Sequence, residues 1–359
     1  MKLYEERLAT DRAAIRDRVA AMAVAVRAAV NESVCGLEDR DHARLYKVIL
    51  DDHPINRESR AVDTLCHAFV ARHLPAAGHL RFVSSVLRLN IALERIGDYA
   101  VTICRVGVQL ARPVPSTLLE EMRGMADQAI EMLQTAMKAF FDADADLGLE
   151  TKRVAKEIDE LYSQIFHELV DSGDQRSDLE LVRLLTIFDQ LERVSDQAKN
   201  ICDEAVFVAT GKSKAPKVYK VHFVDETNSL VSPLAVAMAR KAFPESGSFS
   251  SAGFQPADAV SPALSRTADR LGLDVEGLTP SSFADDEALS TYHVIVLLQP
   301  NEETDLPDIP FRSILLRWGL GEPPSGDDTA VDARLDELTQ DLRTRIRDLM
   351  VTLRGEDAS

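Results

Sequence analysis

The sequence predicts a multidomain protein: an all-α tandem pair of three-helix bundles, followed by an α/β domain built on a parallel sheet. Three observations carry that prediction. Apolar residues recur every three or four positions through roughly residues 1–211. A segment at 93–104 recurs at 191–202, an offset of 98 residues, with seven of twelve positions identical. Beyond a polar stretch at 212–217, short β-branched runs alternate with helical ones. The 359 residues suit two domains at about 150 residues each.

The helical region divides into six expected helices, at 1–35, 40–75, 80–112, 116–143, 147–172 and 177–210. The third carries the seam Phe82, Val86, Leu89, Leu93, Ile96, Ala100 and Ile103. The sixth carries Ile187, Leu191, Val194, Ala198, Ile201, Ala205 and Val208. Such spacing lays a continuous apolar stripe along one helix face. Pro113 and Pro115 interrupt the run between the third and fourth helices. The repeat of 98 residues is the length of a three-helix unit, so two such units follow in tandem. The polar linker 212–217 then separates residues 1–211 from 218–359. In that second part strands are expected at 218–224, 248–252, 292–298 and 312–317, and helices at 232–243, 260–272 and 329–353. Alternating strands and helices make a parallel sheet.

Charge and composition narrow the function. The formal net charge of −18 repels nucleic acid and anionic lipid, so neither is expected as a partner. The N-terminus lacks the basic-then-apolar order of a signal peptide, and no run of about 18 consecutive apolar residues is present. A cytoplasmic protein, peripheral to a membrane only through its partners, is the expectation. Cys35, Cys66, Cys104 and Cys202 form no CxxC pair and read as buried reduced thiols.

The repeated segment also concentrates carboxylates. Glu94 and Asp98 are one helical turn apart, and Glu192 and Asp196 repeat the arrangement. Like charges at this spacing cost a helix a few tenths of a kcal/mol. Spacing alone leaves two readings. The commoner is a solvated face bridged by Arg95 and Arg193; the other is a set of oxygen ligands for a hard or borderline metal completed from a neighbouring helix. Asp142, Asp144 and Asp146 alternate like the start of a calcium loop. The required Gly and Glu are replaced by Leu147 and Arg153, so a polar turn is expected.

The Leu93-Glu94-Arg95-Ile96-Gly97-Asp98 segment and its repeat, the later run 200–211, and His79-Leu80-Arg81-Phe82-Val83 resemble the hallmark segments of PhoU-family phosphate-uptake regulators. The resemblance covers residues 1–211 and implies a double three-helix bundle that binds metal ions through carboxylate motifs on adjacent helices. On this chain it implies Glu94, Asp98, Glu192 and Asp196 as ligands, with Fe, Zn, Mn or Mg as the metal. The companion motif falls on Asp52 and Asn56 in the first repeat, with Pro54 between them. Proline costs a helix interior about 3 kcal/mol, so a kink or a helix start is expected there, with Asp52 either an N-cap or a ligand. In the second repeat the motif falls on Ala155 and Asp159, one carboxylate short. The resemblance further implies, as partners, the ATPase subunit of a phosphate ABC transporter and a sensor histidine kinase; a homodimer is expected.

Residues 221–235 run from a strand through a loop into a helix, a geometry that cradles anions on backbone N–H groups. This segment, with Ser251-Ala252-Gly253 and Arg317-Trp318-Gly319, resembles the low-molecular-weight protein tyrosine phosphatases and related arsenate reductases. That family needs a Cys nucleophile and an Arg clamp in the loop. Here the Cys position is Asp225 and the Arg position Val231, while Asn228, Ser229 and Ser232 are kept; the general-acid position falls on Glu322. The expectation is a pseudo-phosphatase domain with no catalytic residues, fused to a regulator of phosphate uptake and phosphate-starvation signalling. The alternatives are a residual phosphatase or arsenate reductase, and an oligomerisation scaffold.

Overall fold

The computed structural model describes residues 2–171, 177–214, 216–284, 289–298 and 313–355, together with 306, 309, 310 and 358. The chain divides into two compact units, Met1–Lys214 and Ala215–Ser359.

The first unit is helical. Its elements are α1 (Lys2–Glu38), α2 (His42–His73), α3 (Ala77–Gly107), α4 (Ser116–Asp142), α5 (Ala145–Thr151), α6 (Val154–Asp171) and α7 (Asp178–Thr210). The seam of α3 is buried throughout, from Phe82 to Ile103, and that of α7 from Ile187 to Ala205. These two repeated helices lie at the centre: α3 packs on α1, α2 and α7, and α7 packs on α4, α5 and α6. Repeat one is therefore α1–α3 and repeat two α4–α7. An 18-residue window within Leu3–Glu38 is long and apolar enough to cross a membrane, and half of it is buried inside the bundle.

Two local expectations need correction. Pro54 neither starts nor breaks a helix; α2 runs through it, and the N-cap is Asp41, whose side chain accepts from the Arg44 N–H at 3.0 Å. Buried residues on both sides of the proline, Leu45, Val48, Ile55, Val62 and Phe69, hold the helix in place. Tertiary packing thus overrides the local propensity. Asp52 is a mid-helix residue and not a cap. The stretch expected as one helix at 147–172 is two, separated at Lys152 and Arg153; residue 172 lies outside the described residues. The Thr151 hydroxyl donates to the Leu147 carbonyl at 2.7 Å, a back-bond that bends helices, and Lys152 pairs with Asp203 of α7 at 2.6 Å. The aspartate run forms the expected polar turn between α4 and α5, where Asp144 caps α5 by accepting the Leu147 N–H at 3.0 Å.

The second unit orders β1 (Tyr219–Asp225), α8 (Val231–Ala242), β2 (Gly247–Gly253), α9 (Pro262–Leu271), β3 (Val294–Leu297), β4 (Ile314–Arg317) and α10 (Asp328–Arg354). The sheet order is β2-β1-β3-β4, all parallel, with Val224 opposite both Ala252 and Leu297. Of the strand expected at 312–317, residue 312 lies outside the described residues. Chain order reverses between β1 and β3, so the C-terminal end of β1 sits where open α/β sheets hold ligands. Asp225 is the residue at that end.

Candidate functional site

In the first repeat, α2 and α3 face each other through polar side chains. Gly97 lets the helices approach: a Cβ there would stand 3.2 Å from Asp52 Oδ1. Asn56 Nδ2 donates to Asp52 Oδ2 at 2.7 Å, and Asn90 Nδ2 donates to Asp63 Oδ1 at 3.0 Å and to the Ser59 carbonyl at 2.9 Å. Burial pushes the Glu94 carboxyl above its ordinary range, and Asp98, Asp52 and Asp63 push it the same way against Arg95. Burial and Asp52 likewise raise Asp98, against Arg105. Asp52, Glu94 and Asp98 are thus brought into one electrostatic neighbourhood. Asp63 belongs to it too, and sequence reasoning missed it. The signal was the 4-3-4 spacing of Asp52, Asn56, Ser59 and Asp63, a polar seam on α2.

The oxygen-rich donor set suits a hard or borderline cation. Asp52 Oδ1, Asn56 Oδ1 and Asn90 Oδ1 are buried without a hydrogen-bond partner among the described residues. Each such group costs about 1–3 kcal/mol, and a cation in the seam would relieve both that cost and the mutual repulsion. No three His, Cys, Asp or Glu side chains among the described residues already converge as a formed metal site.

The second repeat fits a cation poorly. Ala155 is buried where a carboxylate would be needed. Asp196 pairs with Lys199 at 3.5 Å, so an ammonium already answers its charge. Asp159 and Glu192 are half-buried on α6 and α7. Arg193 pairs with Asp189 at 3.2 Å.

In the second unit the loop after β1 closes on Asp225, which is buried. Its Oδ1 accepts the Asn228 N–H at 2.6 Å and its Oδ2 the Ser232 N–H at 2.8 Å. The N-terminus of α8, whose N-cap Leu230 supplies no side-chain acceptor, is thereby satisfied by a carboxylate within the chain. Burial raises Asp225, against the N–H bonds from Ser232, Asn228 and Thr227. Asn228, at φ 49°, donates from Nδ2 to Ser232 Oγ at 2.9 Å and accepts the Ser281 N–H at 3.0 Å. Ser229 Oγ and Thr227 Oγ1 share a 2.8 Å bond. Gly253 keeps room for the loop, since a Cβ there would stand 2.8 Å from the Asn228 nitrogen. Val231 packs against the core of the unit. Glu322 is exposed, and its backbone carbonyl accepts from Arg334.

The PhoU domain model matches residues 19–106 and 122–205, one segment in each repeat. A phosphate-specific transport system accessory protein PhoU homologue of Pseudomonas putida is 34% identical over 200 residues, covering 55% of this chain and 78% of its own length. The Pseudomonas aeruginosa homologue is 33% identical and covered over 83%. The chain belongs to the PhoU family. The crystal structure of PhoU from Pseudomonas aeruginosa superposes on 56% of this chain and 99% of its own at 32% identity, with a TM-score of 0.54. An arsenate reductase in the phosphate binding state overlays 38% of this chain at 20% identity and a TM-score of 0.33. Both PhoU segments fall within Met1–Lys214, so the carboxylate seam between α2 and α3 lies inside the PhoU part and the Asp225 loop outside it.

Proposed function

We propose that this chain is a non-catalytic regulator of phosphate uptake and phosphate-starvation signalling that works by protein contact. The observation that carries the reading is the doubled α3/α7 helix within a PhoU-family bundle; its relatives are named accessory proteins of phosphate-specific transport. In this reading residues 1–211 are the regulatory double bundle, 212–217 a linker and 218–359 a pseudo-phosphatase domain. The partners are the ATPase subunit of a phosphate transporter and a sensor histidine kinase, met in the cytoplasm by a homodimer. Fe, Zn, Mn or Mg binds at Asp52, Glu94 and Asp98. Deleting the gene and following a phosphate-starvation reporter tests the reading: the reporter should lose its dependence on external phosphate, and unchanged output at high and low phosphate would sink it.

The absence of catalysis rests on Asp225. A carboxylate bonded to the loop's own N–H groups is neither a thiolate nucleophile nor a vacant cradle, and Val231 supplies no guanidinium. A phosphomonoester assay, with an Asp225→Cys, Val231→Arg double variant as control, should find no turnover by the natural chain.

A further inference from the structure

A second groove lies apart from the carboxylate seam. It has a volume of about 760 Å³ and is lined by the start of α1, the α2–α3 junction, Phe82 and Phe141. That volume is in the range of sites for small molecules, about 300–1,000 Å³. Its charge is opposite to that of the chain as a whole. Arg12, Arg16 and His79 line it, with Glu5 as the one acidic side chain. The guanidinium of Arg12 lies over the Phe82 ring, 4.6 Å from its centroid, and that of Arg16 over Phe141 at 4.9 Å. These rings are linked through Phe140, at 5.9 and 5.7 Å, so the platform is anchored in the bundle.

Neither arginine has a carboxylate partner among the described residues. The neighbouring acid, Asp11, is held by Arg72 at 2.8 Å and His73 at 2.9 Å. Arg12 and Arg16 are one turn apart, so their charges repel along α1. An aromatic face beneath a guanidinium holds it without engaging its N–H fork, whose geometry matches an oxyanion. The start of α3 borders the same groove. Its N-cap, Ala76, offers no side-chain acceptor, and its first turn holds no acidic residue. His79 Nδ1 is buried and has no partner.

We propose that the groove between Arg12, Arg16 and the start of α3 is a binding site for a phosphate-class oxyanion, with room for the rest of a small phosphorylated molecule. The two arginines clamp the anion, and His79 at the start of α3 borders it. Titration calorimetry of the full chain, without divalent metal, tests this with inorganic phosphate, pyrophosphate and ATP as probes. Binding that weakens with added salt is expected, at least tenfold weaker in an Arg12→Gln, Arg16→Gln variant. Binding of all three probes with similar affinity identifies the free anion as the ligand; binding of pyrophosphate and ATP alone identifies a phosphorylated molecule. Both side chains are exposed, so the variant should melt as the natural chain does; if it does not, Arg16→Gln alone takes its place. No binding of any probe at millimolar concentration, or equal binding by the variant, overturns the proposal.

Discussion

Replacing Asp225 with Ala removes the acceptor for two buried backbone N–H groups, those of Asn228 and Ser232. Each unpaired donor costs about 1–3 kcal/mol, so the gross loss is about 2–6 kcal/mol. The removed carboxylate was itself disfavoured by burial, as its raised pKa shows, which offsets part of that. A net destabilisation of about 2–4 kcal/mol at neutral pH is the expected outcome. The single tryptophan, Trp318, is buried in the core of this unit, so its emission during urea unfolding of the full chain reports the unit selectively. The pH dependence adds a signature. A carboxyl raised in the folded state binds more protons folded than unfolded between the two pKa values. Stability of the natural chain should therefore fall as pH rises through the folded value, and the Ala variant should lack that component. The vacated N–H groups should also accept an added anion, so inorganic phosphate should stabilise the variant and not the natural chain. A destabilisation below about 1 kcal/mol, with no rescue by phosphate, would refute the view that Asp225 fills the cradle.

Elemental analysis after purification without chelator should show metal in the natural chain and at least a large loss in a Glu94→Ala, Asp98→Ala variant; unchanged loading would remove the α2–α3 seam as the site. In the metal-free protein the raised Glu94 and Asp98 predict stability that increases as pH falls toward their ordinary range, a trend that an Asp98→Asn variant should flatten in thermal melts. Pro54→Ala restores a backbone donor inside α2 and should stabilise the fold by up to about 3 kcal/mol; a lower melting temperature would show that the proline is needed there. Burial pushes Cys66, Cys104 and Cys202 up to about 12, so brief alkylation near pH 8 should modify Cys35 alone, as mass spectrometry would read.

The sequence by itself determined the double bundle, because the apolar period and the 98-residue repeat are local and periodic signals that survive without knowledge of neighbours. It likewise put Asp225 and Val231 where the resemblance expects a cysteine and an arginine, since residue identity is read directly. What Asp225 does in their place was decided only by the tertiary structure: whether its carboxylate repels an anion or replaces one depends on two N–H groups three and seven residues away pointing at it. The same holds for Pro54, where buried side chains on either side outweigh a propensity read from one residue. It holds for Asp63, which joins Glu94 only because α2 and α3 pack at a glycine. Arg12 and Arg16 look like ordinary surface charges in the sequence. Only the folding of α3 and α4 beneath them places each over an aromatic ring and leaves both without a carboxylate among the described residues, because a charge's partners are set by distance in space and not along the chain.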